Sequence, residues 1–313
     1  MKAIVLEVAG GVDNLILRDV EAPIVKENEV LVGVKAISIN PVDYKVRSNE
    51  GGLNAIYGKK RPAILGWDIS GVVVAAGDKV TQFEVGDKVF GMVNFIGAGD
   101  AYAELVAAPE NHLAKIPKHI SFEEAAATTL AALTALQVLQ TRVKEGDRVL
   151  IHAGSGGVGH FAIQIAKNLG AYVVTTSSAK NRDFVLSLGA DEHIDYREQA
   201  FEKVATNIDF VLDGMGGDIL EKSLEVINEG GSMISLPQNQ FSEEIQREAE
   251  KRNIAISSLM VQSSGKDMNI LKELMEIGVV KPHVSKTFSF SEMAKAHLEL
   301  ESGRTVGKVV VKL

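Results

Sequence analysis

Over the first 118 residues the apolar positions come in short runs, "KAIVLEV", "NEVLVGVKAISI", "DISGVVVAAG", "DKVFGMV" and "AYAELVAA", with Gly, Asp and Asn between them. Runs of this length, rich in Val and Ile, read as strands separated by turns. Together they predict a mostly β, partly barrel-like unit. One helix is expected inside it at "PVDYKVRS", where Pro41 suits a first helical turn because the N–H it lacks has no partner there. At Ser121 the period changes. "SFEEAAATTLAALTALQVLQ" opens with a capping box, Ser121 and Glu124, and its Ala/Leu texture predicts one helix of about five turns.

Beyond that helix, strand and helix patterns alternate: strand "DRVLIHA", a helix from Val158 to Leu169, strand "AYVVTT", helix "KNRDFVLSL", strand "EHIDY", helix "REQAFEKVA" and strand "IDFVLD". A helix near Ile219 to Asn228, strand "SMISL", helix "SEEIQREAEKRN" and strand "IAISSLMV" continue the series. Such alternation argues for right-handed βαβ units in a parallel sheet covered by helices on both faces. The tail changes again, to helix "KDMNILKELMEIG", extended "VSKTFSF", helix "SEMAKAHLELESG" and strand "GKVVVKL", which suits the sheet of the first unit. The expected organisation is therefore 1–120 as a catalytic β domain, 121–262 as a parallel α/β domain, and 263–313 returning to the first.

Composition narrows the chemistry. The 313 residues hold no cysteine, which excludes disulfides, zinc–thiolate sites and thiol nucleophiles together. A formal charge of −8 disfavours nucleic acid and anionic membrane as partners and favours a small molecule. No run of about 18 apolar residues suggests a spanning helix and no leader pattern opens the chain, so the expected location is the cytoplasm. The seven histidines show no ligand spacing and read as surface or core residues. Ser155 lacks the nucleophile-elbow pattern of hydrolases.

The segment "IHAGSGGVGHFAIQIAKNLG" carries the most specific chemistry. Gly154, Gly156 and Gly159 have the spacing G-x-G-x-x-G, directly after a predicted strand and directly before a helix on which Phe161, Ile165 and Leu169 share a face. In that context the first glycine permits the tight turn, the second lets backbone approach a pyrophosphate, and the third lets helix pack on strand. The helix N-terminus then faces the anion. The loop residues expected to touch a dinucleotide are Gly154, Ser155, Gly156, Gly157, Val158 and Gly159. About 20 residues on, an NAD site usually carries Asp or Glu for the ribose 2′-hydroxyl. Here the strand ends in "VVTTSSAK", with Ser177 at that position. Ser177 and Ser178 offer hydrogen bonds, Lys180 a charge, and Tyr196, ending the next strand, reaches toward the same place. NADPH is thus expected over NADH.

With these residues in view, the chain resembles a family: the zinc-free medium-chain dehydrogenase/reductases, in the branch of quinone oxidoreductases and enone or alkenal reductases. The resemblance covers essentially the full chain. It rests on "ISINPVDYKVRS", "LGWDISGVVVAAGDKVTQFEVGDKVFG", the glycine segment, "SLGADEHIDYRE" and "GRTVGKVVVKL" in that order. It implies a GroES-like, partly open β-barrel catalytic domain completed by the chain's end, with a Rossmann doubly wound parallel sheet between. Zinc-dependent relatives carry a Gly-His-Glu segment, and here Gly66-Trp67-Asp68 stands in its place. Without a Lewis acid, conjugated acceptors fit better than simple alcohols. The resemblance also implies substrate-side roles for Asn40, Tyr44 and Lys45, with Tyr44 or Lys45 donating to an enolate oxygen. It implies further cofactor contacts at Thr129, Asp213, Gly214, Leu236 and Lys308, and a homodimer. The expected function is NADPH-dependent, metal-independent hydride transfer to quinones or to the C=C bond of α,β-unsaturated carbonyls. An enoyl-thioester reductase, or a non-catalytic NADPH-binding sensor or structural protein on the same fold, is the alternative.

Overall fold

The computed structural model describes all 313 residues. In chain order the first elements are β1 (Lys2–Leu6), β2 (Ile16–Asp19), β3 (Glu29–Ile39), α1 (Pro41–Ser48), α2 (Glu50–Tyr57), β4 (Ala63–Ile64), β5 (Asp68–Ala76), β6 (Lys88–Met92), β7 (Leu105–Pro109) and β8 (Leu113–Lys115). Next come α3 (Phe122–Ala127), α4 (Leu130–Leu139), β9 (Arg148–Ile151), α5 (Gly159–Asn168), β10 (Tyr172–Ser177), α6 (Arg182–Ser187), β11 (Glu192–Asp195), α7 (Phe201–Val204) and β12 (Ile208–Asp213). The chain finishes with α8 (Asp218–Val226), β13 (Ile227–Ser235), α9 (Glu243–Lys251), β14 (Ala255–Ser258), α10 (Gly265–Glu276), β15 (Val284–Ser289), α11 (Met293–Glu301) and β16 (Lys308–Lys312). No helix is long and apolar enough to cross a membrane.

Contacts divide the chain into two units, Met1–Leu133 with Val261–Leu313, and Thr134–Met260. The first unit is built on a seven-stranded sheet of order β15-β16-β3-β5-β6-β8 with β7 also on β3, and on a three-stranded sheet β2-β1-β4. The strand "GKVVVKL" joins it as expected: β16 lies antiparallel to β3, Val309 opposite Ile39, and parallel to β15. Trp67, Tyr102, Phe90, Ile37 and Ile69 are fully buried in its core. Trp67 fills space and also donates its indole N–H to the Gly97 carbonyl at 2.7 Å.

The second unit is a six-stranded parallel sheet of order β11-β10-β9-β12-β13-β14. Counted from its own first strand this is the order 3-2-1-4-5-6, which reverses direction between β9 and β12 and so opens a ligand crevice at their carboxyl ends. The sequence explains the strands. Val149, Leu150 and Ile151, Val173 and Val174, and Val211 and Leu212 are all buried, the near-continuous apolar run of a strand covered on both faces.

Four local expectations differ from the structure, the first being that the β unit holds two helices, α1 and α2, where the pattern predicts one. The single helix after Ser121 is two, broken at Thr128, whose backbone leaves the helical region at φ −99 and ψ 50. There Thr128 Oγ1 bonds the Glu124 carbonyl at 2.8 Å and Thr129 Oγ1 bonds the Ala126 carbonyl at 2.7 Å, while the Leu130 amide goes to Asp68 Oδ1 at 3.1 Å. Asp68 thereby caps α4, an anion at a helix N-terminus, and α3 stays with the first unit, packed on β3, β5 and β16. The glycine-loop helix α5 is not one-faced: every residue from Gly159 to Ala166 is buried, while Leu169 is only half-buried. Its polar members are satisfied locally, His160 Nδ1 lying 2.9 Å from the Gly156 carbonyl and Gln164 Nε2 donating to the His160 carbonyl at 2.9 Å. Finally, "REQAFEKVA" shrinks to the one turn of α7, because Asp195 captures the Arg197 and Gln199 amides and holds Tyr196–Gln199 in a turn.

Candidate active site

In the second unit the residues expected to hold a dinucleotide lie at the carboxyl ends of adjacent strands. The glycine loop follows β9, Ser177 closes β10 with Ser178 after it, Asp213 closes β12 with Gly214 after it, and Leu236 follows β13. The loop is tight for a stated reason. A Cβ on Gly154 would sit 1.9 Å from Thr175 Oγ1, and one on Gly159 would sit 2.3 Å from the Ala153 carbonyl. Gly156 has more room, 3.2 Å to the same carbonyl. The amides of Gly157 and Val158, at the mouth of α5, have no backbone partner, which leaves donors for an anion. Ser155 accepts from Asn181 Nδ2 at 2.9 Å, tying the loop to the turn after β10.

Asp213 is fully buried and bound on every side. It accepts from Met215 N at 2.8 Å, Gly216 N at 3.0 Å and Ser235 Oγ at 2.8 Å, and its carbonyl receives Leu236 N at 2.9 Å. It therefore shapes the loop carrying Gly214, where the space around the α-carbon is open to 4 Å. His152, just after β9, is braced between Thr176 Oγ1 at 3.2 Å and Ser223 Oγ at 2.9 Å, and burial pulls its pKa from 6.5 down to about 4. It is a neutral strut, which no spacing in the sequence announces. Ser177 and Ser178 are buried, whereas Lys180 and Tyr196 are exposed.

In the first unit a buried polar cluster forms where β3 runs into α1. Asn40, the N-cap of α1, donates its backbone N–H to Asp43 at 2.5 Å and its Nδ2 to Asp68 Oδ2 at 2.7 Å. Lys308 donates Nζ to the Ile39 carbonyl at 3.1 Å and to Asn40 Oδ1. The Asn40 side chain is thus fixed from both ends, and its amide orientation follows from its partners: oxygen to the ammonium, nitrogen to the carboxylate. Burial pushes the Asp43 carboxyl up to about 7 and raises Asp68, while burial also lowers Lys308, its two carboxylate neighbours opposing. Thr129 lies beside Asp68. Farther in, Tyr102 Oη is 3.0 Å from His297 Nε2, and burial drops that histidine to about 3.

Of the residues expected on the substrate side, Asn40 is joined to Lys308, and Lys308 and Thr129, both expected as cofactor contacts, lie in this first-unit cluster, Thr129 next to Asp68. Tyr44 is half-buried one turn into α1, and Lys45, on the same helix, is exposed. Sequence reasoning missed Asp43, Asp68 as a scaffold, Tyr102 and His297. Only Asp43 left a trace, the capping-box spacing from Asn40.

Two family models match this chain: "Alcohol dehydrogenase GroES-like domain" over residues 26–118 and "Zinc-binding dehydrogenase" over 188–311. The 2-methylene-furan-3-one reductase of Solanum lycopersicum is 34% identical across 96% of this chain and 76% of its own. The chloroplastic NADPH-dependent alkenal/one oxidoreductase of Arabidopsis thaliana is 35% identical across 99% and 79%. Among solved structures, the quinone oxidoreductase of Coxiella burnetii superposes with a TM-score of 0.93 at 37% identity over 100% of this chain and 99% of that one. The Escherichia coli quinone oxidoreductase complexed with NADPH gives 0.88 at 27% identity, covering both chains fully.

The zinc in one model's description does not fit these residues. There is no cysteine, and no group of three His, Cys, Asp or Glu side chains is placed to hold a metal. Trp67, at the histidine position of Gly-His-Glu, has its indole committed to the Gly97 carbonyl, and Asp68 beside it is committed to Asn40 and Leu130. A dinucleotide does fit: the glycine cradle, the free amides at α5 and the open surroundings of Gly214 all lie at the sheet's reversal point.

Proposed function

Because the chain belongs to the medium-chain dehydrogenase/reductase superfamily, in its branch of quinone oxidoreductases and enone or alkenal reductases, we propose that it is an NADPH-dependent reductase of quinones or of the C=C bond of α,β-unsaturated carbonyls. The observation that carries this reading is Trp67, a buried indole bonded to the Gly97 carbonyl where the zinc-dependent relatives' Gly-His-Glu segment has its histidine. A side chain that cannot ligate zinc fills the ligand position and Asp68 beside it is a scaffold, so the acceptor is one whose developing charge needs no metal. NADPH bound at the glycine loop supplies the hydride. Gly156 gives the pyrophosphate room, the Gly157 and Val158 amides donate to it, and Ser177, Ser178 and Lys180 meet the 2′-phosphate, with Tyr196 beside them.

On the acceptor side, hydride addition leaves negative charge on an oxygen. Lys308 and Asp68 hold Asn40 in one orientation, the Lys308 ammonium donating to the Ile39 carbonyl and to Asn40 Oδ1. Tyr44 donates a hydrogen bond to the developing oxyanion and Lys45 supplies or replenishes the proton. A homodimer and a cytoplasmic location belong to the same proposal, checked by light scattering and by fractionation.

The test is oxidation of NADPH and of NADH with a panel of quinones, 2-alkenals, enones and an enoyl thioester, with and without a chelator. NADPH-dependent, chelator-insensitive turnover of quinones or enones is expected. Tyr44→Phe should lower kcat/KM by roughly a hundredfold to a thousandfold, the range for one transition-state hydrogen-bond donor. Turnover confined to the thioester would make this an enoyl-thioester reductase. Binding of NADPH without turnover of any acceptor would make it a sensor or structural protein.

A further inference from the structure

Ser177 ends β10 almost fully buried, and its Oγ lies 2.9 Å from Nε2 of His193 on the neighbouring strand β11. The parallel register places Thr175 opposite His193 and Ser177 opposite Asp195, so the ring reaches two residue pairs along the strand to the serine. The only other acceptor near that hydroxyl is the Ser178 carbonyl at 3.3 Å. A serine hydroxyl has one proton to give. When Nε2 is bare it takes that proton, and Ser177 turns lone pairs outward. When Nε2 carries a proton it donates to Oγ, and the hydroxyl proton is free to point at a ligand.

We propose that His193 sets the preference for NADPH over NADH by deciding whether Ser177 offers the 2′-phosphate a donor or an acceptor. This rests on the reading that Ser177 faces that phosphate. The surroundings suit the role. Burial lowers the His193 pKa, a hydrogen bond to the Ser177 backbone and Asp195 on its own strand oppose that, and Arg182 of α6 adds to the lowering. The other charges around it are spoken for: Asp191 pairs with Lys167 at 2.8 Å and Glu192 with Arg148 at 2.7 Å. His193 and Arg182 also line an open cavity of about 340 Å³, through which solvent protons reach the ring. The apo ring is held neutral near neutral pH. An arriving phosphate dianion favours the imidazolium, so binding takes up one proton from solvent, and that contribution is present at low pH and lost as pH rises.

The experiment measures dissociation constants for NADPH and NADH by nicotinamide fluorescence between about pH 6 and 8.5, in the wild type, His193→Leu and His193→Gln. The phosphate's own second ionisation, near pH 6, acts on all three alike. In the wild type the NADPH-over-NADH affinity ratio should rise toward low pH by about tenfold more than in His193→Leu, the fold-change of one charge-assisted hydrogen bond. His193→Gln, whose amide is a permanent donor, should keep NADPH preference without that slope. Parallel pH profiles in wild type and both variants overturn the proposal while leaving NADPH as the cofactor. A wild type that binds NADH as tightly as NADPH at every pH overturns the cofactor reading, and this inference with it.

Discussion

Lys308, at 3% exposure, shows how much one residue can hold in place. Its ammonium neutralises the neighbourhood of Asp43 and Asp68 and locks Asn40. Buried ion clusters stabilise little relative to apolar packing, but breaking one leaves uncompensated charge. Lys308→Met should therefore cost about 3–5 kcal/mol in urea unfolding. Adding Asp68→Asn should recover part of it, because a neutral amide no longer needs the missing cation. The double-mutant cycle measures the coupling, and two losses that simply add would show that the ammonium acts on something else.

At the scale of elements, the glycine loop separates two kinds of requirement. Gly159 is needed by the fold, since a methyl there would press on the Ala153 carbonyl at 2.3 Å, and backbone cannot step aside cheaply. Gly159→Ala is expected to destabilise the second unit by about 1–3 kcal/mol in thermal unfolding. Gly156, with 3.2 Å of clearance, is needed by the ligand. Gly156→Ala should leave the unfolding transition nearly unmoved and weaken NADPH binding in a fluorescence titration. The same loop shows what a sequence makes legible. Strand, glycines and helix are local in the chain, as are Ser177 and Lys180 one strand later, so the nucleotide side can be read by spacing. The Asn40 cluster, the proposed acceptor side, cannot, because Asn40 is fixed by Asp68, 28 residues away, and by Lys308, 268 away. The break between α3 and α4 was illegible for the same reason: helix propensity favours continuity, and the cap that interrupts it comes from Asp68, 62 residues earlier.

For the molecule as a whole, acid should weaken the two units unequally. His152 in the second unit resists protonation, its pKa falling from 6.5 to about 4, and His193 shifts the same way. The unfolded chain takes up those protons first, so stability present above pH 6.5 is lost as pH falls through the window below it. In the first unit His297 and His112 behave likewise. There Asp43, Asp68 and Asp100, all raised by burial, pull the other way: the folded state holds their protons more tightly, and their contribution grows as pH falls. Between about pH 6.5 and 4.5 hydrogen exchange should therefore show protection falling faster in Thr134–Met260 than in the first unit. His152→Gln should reduce the difference, and equal loss in both units would contradict the assignment. The path of the chain adds a consequence for biosynthesis. Residues 134–260 are contiguous and can fold as soon as they leave the ribosome, whereas β3 must wait for β16. The nascent chain thus carries Asn40 and Asp68 for most of translation without their cation, and the buried polar cluster around Asn40 is completed only when the strand bearing Lys308 arrives.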